Sequence, residues 1–140
     1  MGVKPGWEIS FGETGSRNKF LSEIIKGSPN DSIFEIEVFD SEIPPSLELF
    51  TLKNVRSKDM TAIKINVESL KVLNEFIMSM DLQKECWSIK IYKGDKVYFE
   101  SYDFMYESGP FVCGNSFDEI LKDLEQKGII SEHDWFEPDK

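Results

Sequence analysis

Hydrophobic residues recur along this chain with two spacings. Several short stretches alternate apolar and polar residues one by one, the signature of a strand with one buried face, and longer stretches repeat them at three and four, the signature of an amphipathic helix. Trp7 to Phe11 reads as a first strand. Gly12-Glu13-Thr14-Gly15-Ser16 reads as a turn into a helix capped by Ser16, with Phe20, Leu21, Ile24 and Ile25 on one face and Gly27 and Pro29 as its stop. Ile33 to Phe39 alternates cleanly: Phe34, Ile36 and Val38 point one way, Glu35 and Glu37 the other.

Pro44 and Pro45 deny the chain both a helix interior and a central strand, so the stretch up to Pro45 is expected to be a connection or an edge. Leu47 to Leu52 and Thr61 to Val67 read as further strands. Leu70, Leu73, Phe76, Ile77 and Met80 predict a second helix over Glu68 to Met80, with Asn66 as its cap. Trp87 to Tyr92 and Val97 to Phe104 form a hairpin across Lys93-Gly94-Asp95-Lys96. A two-residue loop there sets Lys90 opposite Phe99, and a three-residue loop sets it opposite Glu100.

Gly109-Pro110 turns into a short strand, Phe111 to Cys113, and a third helix follows, with Ser116-Phe117-Asp118-Glu119 as a capping box and Gly128 as the close. The order β-α-β-β-β-α-β-β-β-α predicts an α+β fold: a mostly antiparallel sheet of about five to seven strands with three helices packed on it. No internal repeat or long Pro/Gly/Ser-rich linker divides the chain, so residues 1–140 are expected to form a single domain.

Composition narrows the classes. No apolar run exceeds three residues, as in Phe76-Ile77-Met78, so no membrane span is expected. The amino terminus lacks the apolar stretch of an export signal, and Gly6 stands where a myristoylation motif needs Ser or Thr; a cytoplasmic location is the expectation. Cys86 and Cys113 are then expected to be free, buried thiols.

The formal net charge of -10 is spread unevenly. Gly27 to Leu52 holds six acids and no base; Val97 to Leu121 holds five acids and no base; Lys53 to Lys96 holds nine bases and six acids. A negative field repels phosphate backbones and attracts basic surfaces, which argues against direct binding of nucleic acid. The plainer reading is that the acids keep a small domain soluble.

Candidate chemistry is sparse. With one histidine, His133, and two thiols there is no zinc-ligand pair spacing, and the spaced ligands of an EF-hand loop are missing, so no metal or cofactor is expected. Cys113 precedes a helix, where backbone dipoles can lower a thiol pKa, and His133 could serve it as a base; equally, Phe111-Val112-Cys113 is a buried strand whose cysteine fills space. Gly12 to Ser16 lacks the Gly-Lys-Ser/Thr ending of a phosphate-binding loop. No pair among the 26 acids stands out as an acid and base couple. No enzymatic activity is expected.

What remains is a surface for a partner. On one strand Tyr98, Glu100, Tyr102, Phe104 and Tyr106 share a face, accompanied by Asp103 and Glu107, and tyrosines beside acids suit a basic protein. Glu35 and Glu37, continued by Asp40 and Glu42, form a second acidic face. Both readings compete with the simpler ones of sheet core and solvated strand.

Taken together, the base-free runs Asp31 to Glu48 and Glu100 to Glu119, the Tyr and Trp among acids, and the missing catalytic equipment resemble the immunity proteins of bacterial polymorphic-toxin and contact-dependent inhibition systems. The resemblance implies a cytoplasmic, acidic inhibitor, a monomer that forms a heterodimer with a basic toxin domain such as a nuclease and covers its active or substrate-binding surface. The same charge pattern would also serve a phage-type DNA mimic that blocks a host nucleic-acid enzyme. A small enzyme or ligand-binding domain would instead need carboxylates around a closed pocket lined by Trp87, Tyr98 or Tyr102.

Overall fold

The computed structural model describes residues 5–12, 16–38, 43–52, 60–102 and 110–137. Among these residues the chain forms, in order, β1 (Gly6–Ser10), α1 (Arg17–Gly27), β2 (Ile33–Val38), α2 (Pro45–Glu48), β3 (Met60–Lys64), α3 (Val67–Ser79), α4 (Leu82–Glu85), β4 (Cys86–Lys93), β5 (Lys96–Tyr102), β6 (Phe111–Cys113), α5 (Asp118–Gln126) and β7 (Glu132–Phe136). The strands make one antiparallel sheet in the order β3-β2-β4-β5-β6-β1-β7. The α+β class holds, with five helices among the described residues rather than three.

The period of two in the strands decides which way every side chain points. Register aligns Ile63, Phe34, Ile91, Phe99, Val112 and Trp7 on one face, and all but the half-buried Trp7 are buried. The buried stripes of α1, α3 and α5 join the same hydrophobic cluster, so the three long helices form one layer over that face. Phe20 of α1 sits at its centre, with ring centroids 5.3 Å from Phe11 and 5.7 Å from Phe99. Burying a side chain of this size contributes about 1.5–3 kcal/mol. Asn18 fastens the helices to each other, donating at 2.6 Å to each of the Ile77 and Met80 carbonyls at the end of α3, where intrahelical partners have run out.

The expected caps form where local chemistry is strong. Ser16 Oγ accepts from the Lys19 amide, and Asn66 makes a reciprocal box: its side chain accepts from the Glu68 and Ser69 amides at 2.9 Å while Ser69 Oγ accepts from the Asn66 amide. At α5 the expected box does not form. Phe117 takes the cap position without a side-chain bond because its ring is buried, edge-on to Tyr98, and the Asp118 carboxylate accepts instead from the Trp7 indole at 2.8 Å.

Other expectations change. Leu47 to Leu52 is not a strand: Pro45 presets the first turn of α2, Leu47 drops into the core, and only Thr51 bridges to Ile63. β7, unforeseen, carries Glu-His-Asp-Trp-Phe, which has no apolar alternation because it is an edge strand. The hairpin resolves its register in an unexpected way. Its tip is the two-residue Gly94-Asp95 loop, with Gly94 at φ +60°, yet Lys90 faces Glu100 because pairing jumps from Tyr92↔Val97 to Ile91↔Phe99 and leaves Tyr98 as a bulge.

Asn66→Ala should cost about 1 kcal/mol in urea unfolding, with most of it restored by Asn66→Asp, because a carboxylate accepts the same two amides.

Candidate functional site

The face opposite the long helices carries the open-phase residues of every strand. One row crosses the whole sheet: Ala62, Glu35, Lys90, Glu100, Phe111, Glu8 and Asp134, each directly opposite the next. A second, shorter row holds Met60, Glu37, Ser88 and Tyr102. Strand alternation fixes both rows, because Phe34, Ile36, Phe99 and Ile9, the neighbours of these acids in sequence, all point into the core.

Of the residues expected to form an interface, Glu35, Glu37, Glu100 and Tyr102 come together on this face. Tyr98 does not: the bulge turns it toward the helix layer, where it is buried against Phe117 under the Lys96 ammonium. Asp40, Glu42, Asp103, Tyr106 and Glu107 lie outside the described residues, as does Phe104. Lys90, Phe111, Glu8 and Asp134 were missed. Glu8 was legible in the alternation of the first strand, but Asp134 was not, since nothing in its neighbourhood signals a strand.

Two of the carboxylates are held in place. Glu35 accepts from the Tyr92 hydroxyl at 2.8 Å, and Glu37 from Ser88 Oγ at 3.3 Å. Lys90 stands between Glu35 and Glu100 with its ammonium 5.3 Å from the Tyr92 ring centroid. Tyr102, 54% exposed, has its phenol pKa raised by partial burial and then by the fields of Glu100 and Glu35. Magnitudes decide how far Lys90 neutralises the row. Adjacent strands are about 5 Å apart, so Lys90 attracts each flanking acid by about 0.8 kcal/mol in bulk water, while the two acids, about 10 Å apart, repel by about 0.4 kcal/mol. The middle of the row is therefore net attractive, although two acids around one base still leave it one negative charge. Glu8 and Asp134, directly opposite each other and both exposed, form no ion pair among the described residues, and the uncompensated charge lies at the β1–β7 end.

The two cysteines are buried thiols rather than a disulfide pair. Cys113 belongs to the open phase, in line with Gly6 and Phe136, whereas His133 lies on the other face, paired with Ile9 and edge-on to the Trp7 ring. The thiol and the imidazole are not brought together. Trp87 and Tyr102 are exposed and Tyr98 is on the helix side, so these three do not converge on a closed pocket. Among the described residues no group of three or more His, Cys, Asp or Glu is placed to hold a metal ion, and no helix is long and apolar enough to cross a membrane. Comparison with protein-family models, with curated proteins and with solved structures finds no match to this chain.

Two measurements check the electrostatics. Lys90→Gln should lower stability by up to about 1 kcal/mol at low salt, with the loss shrinking at high salt as the Glu35–Glu100 repulsion is screened. Burial, and then the field of Glu37, pushes the Cys86 thiol from 9.0 to about 12. A thiol raised in the fold is protonated there while the unfolded chain ionises, so its stabilising contribution is intact below about 9 and is lost as pH rises toward 12. Cys86→Ala should flatten that alkaline decline in thermal melts.

Proposed function

We propose that the chain is a binding protein that neutralises a basic protein partner, and that the partner is a toxin domain of the nuclease kind whose substrate-binding surface the open sheet face covers. The observation that supports this reading is the row of four carboxylates, Glu35, Glu100, Glu8 and Asp134, set on one face by strand register, with Lys90 as the only base of that row. Phosphate-binding surfaces are rich in Lys and Arg, and a sheet that sets its acids in one backbone register offers them a complementary line of charge. Tyr102 and Phe111 beside the acids supply contact area at low entropic cost. A lysine in the middle of the row suits docking on a protein better than imitation of an unbroken phosphate chain.

The test is co-expression with the product of the neighbouring reading frame. That product should arrest growth alone, this chain should relieve the arrest, and a Glu35→Lys, Glu100→Lys double variant should not. Relief that survives the double reversal would remove the open face from the interface. For the purified pair, the association rate should fall as salt rises from about 0.01 M to about 0.15 M, where the screening length drops from about 30 Å to about 8 Å.

A further inference from the structure

The last strand of the sheet leaves one line of backbone groups facing outward. β7 pairs with β1 on one side only, at the end of the strand order. The His133 amide donates at 3.2 Å to a Glu125 carboxylate oxygen rather than to β1, so it points away from the sheet, and the Ile9 amide opposite turns to the Pro110 carbonyl at 3.1 Å. Two residues on, Trp135 has the same orientation by the period of the strand, so its N–H and C=O also face out. Glu125 closes the outward edge at His133 and leaves it open at Trp135, whose side chain is 42% exposed beside the 36% exposed Phe136.

We propose that this edge accepts an extended strand from a partner, and that the strand places a lysine or arginine opposite Asp134. The occupant follows from charge. Glu8 and Asp134 face each other as like charges, which is destabilising in a cross-strand pair, and a base on the far side of Asp134 relieves that repulsion and extends the row Glu100, Phe111, Glu8, Asp134 onto the partner. A second copy of this chain is disfavoured by the same arithmetic. Antiparallel self-pairing centred on Asp134 puts that carboxylate opposite its own copy and needs the His133 amide that Glu125 already holds. That register is thus disfavoured for a second copy, while a basic strand paired at Trp135 gains an opposite charge at Asp134. The inference rests on the reading that the partner is basic, and it adds the element through which the partner enters.

The probe is a short synthetic peptide alternating lysine with valine, with a glutamate and valine peptide as control, added to the full chain while backbone amide exchange is followed by NMR. The lysine peptide should slow exchange of the Trp135 amide about tenfold at saturation, the glutamate peptide should leave it unchanged, and Asp134→Lys should reverse the preference. Asp134→Lys gains Glu8 as a cross-strand partner, so loss of fold does not confound it. Shifts confined to Glu35, Lys90 and Glu100, with Trp135 unprotected, would overturn the edge and leave the open face standing as the docking surface. Protection of Trp135 that grows with protein concentration and no peptide would overturn it in favour of self-pairing.

Discussion

The sheet buries one face and not the other, and nearly everything else in the molecule depends on that asymmetry. Phe20, seated between Phe11 and Phe99, ties the central helix to the sheet, and Ile9, Phe34, Ile36, Ile89, Ile91 and Val112 complete the wall it packs against. Because successive side chains point to opposite faces, fixing these residues inward fixes Glu8, Glu35, Glu37, Lys90 and Glu100 outward. A slip of one residue in any of the pairings would drive a carboxylate into the core at several kcal/mol. The acidic face is therefore as strongly specified as the core behind it.

That rigidity shapes what the face can do. Tyr92 holds Glu35 and Ser88 holds Glu37, so these two acids stand in set positions rather than sweeping through solvent. Lys90 keeps the middle of the sheet from repelling itself apart and concentrates the unbalanced charge near β7. A partner approaching this surface meets an aromatic centre whose acids share one lysine, and a margin whose acids have none.

Much of this was legible in the residues. The alternation of Ile33 to Val38 gave both the core phase and the outward glutamates, and Asn66 and Gly128 announced the start of one helix and the end of another. Local signals failed where distant ones overrode them. Ser116 looks like a cap, but burial of Phe117 and the Trp7–Asp118 bond, between residues over a hundred positions apart, set the start of α5 instead. Leu47 reads as strand until Pro45 and the core claim it for a helical turn. β7 gave no signal at all, since an edge strand exposed along most of its length has no buried face to imprint a pattern. With Asp134 hidden in that strand, a row crossing seven strands could be seen only in part.

The bulge at Tyr98 has a consequence for how this hairpin tolerates change. The Gly94-Asp95 tip alone would have paired Lys90 with Phe99, leaving an aromatic in water and Glu100 inside; the odd residue shifts the phase by one and reconciles a tight turn with the core. Since that residue lies outside the ladder, deleting it would leave every other pair of β4 and β5 in step. A sheet usually punishes a change in strand length by turning itself inside out, but here one position absorbs the mismatch, and what its loss would cost is the buried contact of its ring with Phe117 rather than the order of the faces.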